Sequence, residues 1–184
     1  MKKTILTLLT FLPLLLFSQK KQKEVTKVIL PLKNESIYIE KVIDSLSADK
    51  RKVYNASLKW MATVFVDSKE VIQNKNENDG EIIGSGNFRL VLPGFTTTND
   101  LISFMIEITA KDNKSRMRIY QFSRKAIGYN YPSMPLDPDY QAYLKENQFP
   151  KANKKYYEAF KTQVDLLLSN YESFLKENVK PDDF

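Results

Sequence analysis

The stretch LISFMIEITAKDNKSRMRIYQF, residues 101–122, limits the fold more than any other part of this 184-residue chain. Ile102, Phe104, Ile106 and Ile108 alternate with Ser103, Met105, Glu107 and Thr109, the period-two pattern of a strand buried on one side. With Asp112 and Asn113 as a two-residue turn, Lys111 stands opposite Lys114. Ile108 then faces Met117 and Ile106 faces Ile119 on one side of the ladder. Glu107 faces Arg118 and Thr109 faces Arg116 on the other. A slip of one residue would turn both apolar sets to water, so the register is strongly specified. The chain is committed to an antiparallel sheet with one dry face and one wet face.

The same stretch raises a functional question. In KSRMRIYQF (114–122) basic and aromatic side chains interleave, as they do on surfaces that hold nucleic acid. The register answers it. Arg118 meets an opposite charge directly across the ladder, worth about 0.2–1 kcal/mol, and Lys111 and Lys114 suit a solvated turn. The stripe is the wet face of a hairpin.

The dry face needs a cover, and the sequence offers two helices. In DKRKVYNASLKWMATVF (49–65), Val53, Ser57, Trp60 and Val64 recur at helical spacing, and Tyr54, Leu58, Met61 and Phe65 repeat it one residue on. Such a wide apolar stripe must be buried, which makes Trp60 a core residue. Ser47 or Asp49 supplies the N-cap oxygen. Near the C-terminus Tyr156, Phe160, Val164, Leu167, Tyr171 and Phe174 recur every three or four residues, with Tyr157, Leu168 and Leu175 beside them. This predicts a helix from about 153 to 176 packed on the sheet.

The remaining strands precede and follow the first helix. ESIYIEKVIDS (35–45) is β-branched and aromatic, without Gly or Pro. KEVIQNKNENDGEIIGSGNFRLVL (69–92) is a hairpin turning at Asp79-Gly80. On its return strand Ile82, Phe88, Leu90 and Leu92 share a face, and Gly84 and Gly86 between them mark a bulge or a close approach. PGFTTTND (93–100) is a loop. Residues 129–153 hold Pro132, Pro135, Pro138 and Pro150, so they form a long connection with a short helical turn near YQAYLKE.

The amino terminus sets the expected compartment. Lys2 and Lys3 precede an apolar run from Ile5 to Phe17, and Ser18 stands before polar Gln19. This is the order of a secretory signal, and the run is shorter than the ~20 residues that span a bilayer. Pro13 also opposes a spanning helix. The expected organisation is a signal peptide at 1–18, cleaved near Ser18/Gln19, and a basic tail and lead-in at 19–34. A core β-α-β4 domain follows at 35–124, then a proline-rich connection at 125–152 and a C-terminal helix at 153–184. The mature chain is expected to have no transmembrane segment.

Charge follows the same division. The formal +6 falls to +4 without Lys2 and Lys3. Lys20, Lys21, Lys23 and Lys27 against Glu24 carry +3 of that, so residues 28–184 hold only +1. The basic character belongs to the leader and tail, and nucleic acid is not an expected partner.

The order strand, helix, four strands, helix is carried by YIEKVIDSLSADKRKVYNASLKWM (38–61), VIQNKNENDGEIIGSGN (71–87) and ISFMIEITAKDNKSRMRI (102–119). Together they resemble a family of exported bacterial domains of unknown function with a TATA-binding-protein-like fold. The residues in the family's pattern are Tyr54, Trp60, Gln73, Gly80, Gly84, Gly86, Lys111 and Asp112; where members have Gly after the hairpin Asp, this chain has Asn113, which also accepts left-handed geometry. The resemblance implies an α+β fold, an antiparallel sheet in β-α-β-β-β-β-α order with helices on one face. It implies a location in the periplasm or envelope of a Gram-negative-type bacterium. It supplies no activity, cofactor or catalytic residue, and the fold name does not imply DNA binding.

Composition narrows the chemistry. With no His and no Cys, imidazole triads, thiol nucleophiles and thiolate zinc sites are excluded. NKNENDGE alternates oxygen ligands at Asn74, Asn76 and Asn78, yet Gly80 is one place late for a calcium loop and Ser85 stands where a bidentate Glu belongs. GSGN lacks the further Gly or Lys of a phosphate loop. Asp137/Asp139 and Asp182/Asp183 are paired carboxylates in a loop and at the terminus, not in a desolvated cleft. The acceptor-like triplets at Asn34, Asn55 and Asn113 have no role in a bacterial envelope. The chain therefore offers no catalytic, cofactor-binding or metal residues. The reading is a non-catalytic binding domain for an envelope partner, polymer or small ligand, through its sheet face or the 129–153 loop. A carboxylate-based envelope hydrolase is the alternative and requires two convergent acids; a nucleic-acid module requires a continuous basic face. Ligand and oligomeric state are not legible.

Overall fold

The computed structural model describes residues 26–65, 71–92, 98–145 and 150–179. Along the chain the strands are β1 (Leu32–Lys33), β2 (Ser36–Ile37), β3 (Ile39–Ile43), β4 (Ile72–Asn76), β5 (Glu81–Leu92), β6 (Thr98–Lys111), β7 (Lys114–Ala126) and β8 (Met134–Pro135). The helices are α1 (Lys50–Val64), α2 (Asp137–Lys145) and α3 (Pro150–Asn178).

The β6–β7 hairpin has the expected register: Lys111 opposite Lys114, Ile108 opposite Met117, Glu107 opposite Arg118 and Ile106 opposite Ile119. Ile102, Ile106, Ile108, Met117 and Ile119 are fully buried. Strict alternation from Met117 and Ile119 would bury Gln121. Instead the register shifts between Ser103 and Met105, and Gln121 takes φ 55° and faces solvent. This bulge re-phases β7, so that Phe122 enters the core. Strand β6 begins at Thr98, so 98–100 is strand where a loop was expected, while 93–97 lie outside the described residues.

The sheet runs β3-β7-β6-β5-β4, with β8 beside β7. The expected first strand, 35–45, is divided. Asn34 and Glu35 adopt φ 51° and 65° to turn a small β1–β2 hairpin. Only Ile39–Ile43 joins the main sheet, antiparallel to β7. The β4–β5 turn uses four residues, since Asn76 pairs with Glu81, and of the Asp79-Gly80 pair only Gly80 has positive φ.

Helix α1 starts where expected: Asp49 Oδ1 accepts from the Lys52 N–H at 2.7 Å, a cap worth about 1 kcal/mol. The hairpin tip adds a second acceptor, Asp112 Oδ1 to the Lys50 N–H at 2.8 Å. Val53, Tyr54, Ala56, Ser57, Trp60 and Met61 are buried. Helix α3 is longer than the 153–176 expected and buries Tyr157, Phe160, Val164, Tyr171 and Leu175. Trp60 and Tyr171 meet at 4.7 Å between ring centroids, and Phe122 meets Phe160 at 5.0 Å edge-on. Both helices therefore cover one face of the antiparallel sheet.

Two segments with little sequence periodicity also pack. The connection after β7 contains α2, whose Tyr140 and Tyr143 are buried. Tyr140 and Tyr143 hydroxyls bond the Leu30 and Val28 backbone, so residues 28–30 are held against α2 although the sequence alone treats them as lead-in.

Candidate binding site

Two surfaces compete as sites: the open face of the sheet and a pocket on the helix side. On the open face Arg118 lies between two carboxylates. Its Nε donates to Glu40 Oε2 at 3.1 Å, and its Nη1 donates to Glu107 Oε1. Burial works to lower the Arg118 pKa, but the Glu40 hydrogen bond and the Glu107 charge overcome that and raise it. Arg116 Nε is 4.0 Å from the same Glu40 oxygen. Arg116 and Arg118 of the stripe are thus matched by Glu40 and Glu107 within the sheet. Among the described residues, Glu40 and Glu107 interrupt the positive charge that this face would offer a phosphate backbone.

The pocket lies between the C-terminal end of α1, the middle of α3 and the β5 side of the sheet, with a volume of about 540 Å³. Beside the pocket Phe65 settles directly on β5 because Gly86 has no side chain: a Cβ there would lie 2.6 Å from Phe65 Cε1. Its apolar wall is Val64, Phe65, Phe88, Phe104, Leu166 and Leu167, with Phe88 and Phe104 at 5.8 Å. The polar lining is Asn87, Gln163, Ser169, Asn170 and Ser173. Asn170 Oδ1 accepts from Trp60 Nε1 at 2.8 Å, which leaves its Nδ2 hydrogens for a ligand. Among the described residues that line it, none is ionisable.

The residues singled out from the sequence go elsewhere. Asn76 Nδ2 donates to Asp79, and Asn76 Oδ1 accepts from the Asp79 N–H at 3.2 Å, a self-satisfied polar turn. Among the described residues no group of three or more acidic side chains gathers as a metal site. Gly84 and Gly86 are strand glycines under tight packing, not a phosphate loop. Asp137 Oδ1 accepts from the Ile37 N–H at 2.9 Å, tying α2 to the β1–β2 hairpin, and Asp139 pairs with Arg124 of β7 at 2.8 Å; the two do not converge on a cleft. Asp182 and Asp183 lie outside the described residues. Near Asp139, Tyr156 donates to Asp100 Oδ2 at 3.2 Å; burial, then the Asp100 charge, push its phenol up.

The pocket was missed because Phe65 and Phe88 look like ordinary core positions. One signal was present: Leu166 falls off the helical stripe and is 58% exposed, an apolar residue on the wrong side of α3 for the core. Among the described residues no helix is long and apolar enough to cross a membrane.

Comparison with known proteins agrees with this architecture. Residues 40–125 match the family described as a domain of unknown function (DUF4468) with TBP-like fold. The crystal structure of a DUF4468 family protein from Bacteroides ovatus ATCC 8483 is similar with a TM-score of 0.68 at 13% identity, over 84% of this chain and 93% of that one. The crystal structure of a TBP-like protein from Parabacteroides distasonis ATCC 8503 is similar with a TM-score of 0.66 at 19% identity, over 80% and 97%. No curated protein matches the chain. At such identities the likeness to the solved structures speaks for the fold alone. The matched segment spans β3 almost to the end of β7, so this part of the chain resembles the DUF4468 family, domains of unknown function with a TBP-like fold.

Proposed function

We propose that the protein is an exported, non-catalytic binding domain of the bacterial envelope, and that its ligand enters the pocket between α1, α3 and β5. One observation carries the reading: three phenylalanines, two leucines and a valine wall a space of about 540 Å³ whose described lining has amides and hydroxyls but no ionisable group. Apolar pockets with a few directional polar groups are the usual form of ligand sites. An uncharged lining has no proton to give or take and suits an uncharged, partly apolar ligand. A carboxylate hydrolase would need a raised acid in a cleft, and Glu172 is displaced the other way, held low by Lys176 and Lys41.

The test uses Nile red, an uncharged polarity-sensitive dye. Wild-type protein should bind it saturably with enhanced emission. Leu166→Glu, at an exposed position on the lip, should weaken binding by about tenfold with an unchanged melting temperature, because the dye would then desolvate a carboxylate. Dye binding indifferent to this substitution would remove the pocket from the proposal.

Export rests on Lys2, Lys3, the Ile5–Phe17 run and Ser18. Mass spectrometry of cell fractions should find a chain beginning at or near Gln19 outside the cytoplasm. An intact Met1 in the cytosolic fraction would overturn it.

A further inference from the structure

We infer that the pocket's ligand is an extended polypeptide strand that adds to the outer edge of β5, which deepens the binding reading above and rests on it. Strand β6 pairs with β5 along its whole length, Glu81 to Leu92. Strand β4 covers the opposite edge from Glu81 to Gly84 only. Among the described residues no strand pairs with that edge from Asn87 to Leu92. Every second residue there turns its N–H and C=O outward, a template for another main chain.

The other side of the sheet is managed differently. The outer edge of β7 is taken by β3 at Ser115–Ile119 and by β8 at Ser123 and Arg124. Exposed edges are normally blunted by Lys, Pro or a bulge. NFRLVL (87–92) contains no Lys or Pro, and its pairing with β6 is regular. Among the described residues, this edge is open beside the pocket.

The chemistry of the neighbouring side chains describes the strand that fits. Phe88 is half-buried and borders the pocket, so an incoming side chain next to it enters an apolar, uncharged space. Arg89 points to the other face, is exposed, and enters no ion pair among the described residues. A cross-strand neighbour of Arg89 is favoured when acidic. The occupant alternates apolar residues, which face the pocket, with polar ones that include an acid opposite Arg89. A second copy fits less well, since two-fold pairing centred on Arg89 sets Arg against Arg. Specificity by alternate side chains and affinity by main-chain bonds is the recognition mode of strand addition.

The probe is an acetylated, amidated peptide, Thr-Val-Glu-Val-Thr-Val, with two relatives: one N-methylated at alternate residues, one with Lys for Glu. In the free mature protein, alternate amides between Asn87 and Leu92 should exchange with solvent as open groups, and the parent peptide should protect them. N-methylation should weaken binding by about tenfold or more, since it removes main-chain bonds and keeps the side chains. Arg89→Glu should lose the parent peptide and gain the Lys version. If the dye binds but the peptide does not, or if the N-methylated peptide binds equally well, strand addition is wrong and the pocket stands. If neither binds, both readings fall. Full protection of these amides in the free monomer, or protection that rises with protein concentration as a dimer forms, also overturns the inference.

Discussion

The hydroxyl of Tyr171 lies 2.6 Å from Ser115 Oγ in the dry centre of the molecule. It also lies 2.7 Å from Ser57 Oγ, and Ser57 donates to the Val53 carbonyl at 2.8 Å. Since the Ser57 proton is committed to Val53, the directions follow: Ser115 donates to Tyr171, and Tyr171 donates to Ser57. One buried relay thereby joins β7, α3 and α1. Tyr171→Phe should cost about 1–3 kcal/mol by leaving the serines unsatisfied. Adding Ser57→Ala and Ser115→Ala should recover part of that loss, because no polar group is then stranded. Urea midpoints at constant slope measure both; a triple variant weaker than the sum of its parts would refute the relay.

The same tyrosine sets an alkaline limit. Burial pushes its pKa from 10.0 up to about 12, against the lowering effect of the two serine hydrogen bonds. The native state therefore keeps a proton that the unfolded chain releases between those values. This contribution is complete below pH 10 and is lost as pH rises through 12. Thermal scans across that window should show wild-type stability falling faster than that of Tyr171→Phe.

Arg118 is worth more than one cross-strand pair. The register alone supplies Glu107 and about 0.2–1 kcal/mol, but β3 brings Glu40 to its other side. The Arg118 and Glu107 side chains are only 23% and 15% exposed. Arg118→Glu would place three carboxylates together and should cost about 2–3 kcal/mol. Adding Glu107→Lys should restore much of it. Chemical denaturation decides: an unmoved midpoint in Arg118→Glu would show that the cluster contributes nothing to the fold.

That difference marks where sequence reasoning stops. The β6–β7 register was legible because period, turn and charge sign agree over adjacent residues. The buried faces of α1 and α3 were legible for the same reason. The neighbour of β7 was not, since nothing local tells Ile39–Ile43 to join the last strand of the ladder. The bulge at Gln121 was hidden because glutamine carries no bulge signature; only the need to bury Phe122 reveals it. The small hairpin that claims Ser36 and Ile37 turns on Asn34 and Glu35 at positive φ, and Glu is an unusual residue there. The pocket depends on how α1, α3 and β5 come together, a tertiary property that only the exposed Leu166 foreshadowed.

Gly84 tests the close approach inferred from the strand pattern. A Cβ at this position would lie 2.5 Å from the Val71 carbonyl oxygen and 2.6 Å from Met61 Cε. The methionine has room to move, but the oxygen is main chain opposite the β4 irregularity between Ile72 and Asn74. Gly84→Ala should destabilise by about 1–3 kcal/mol through strain. Hydrogen exchange should show the loss first in β4. An alanine variant as stable as wild type would mean that β4 shifts freely.

Glu172 governs the acid side. Hydrogen bonds from Lys176 and Lys41 lower its pKa from 4.5 to about 2, and Lys41 Nζ reaches it from β3 at 2.9 Å. Here the folded state holds the ionised form more tightly than the unfolded chain does. Between those two values the unfolded chain binds more protons, so stability rises with pH. The contribution is present above pH 4.5 and disappears as pH falls through 2. With its side chain 28% exposed, solvent and salt weaken the effect. Glu172→Gln should therefore flatten the acid limb of the stability curve between those pH values, most visibly at low ionic strength. Lys41→Met should flatten it partly, because Lys176 remains. If both variants keep the wild-type acid limb, the tie between β3 and α3 is not what holds this carboxylate in its charged form.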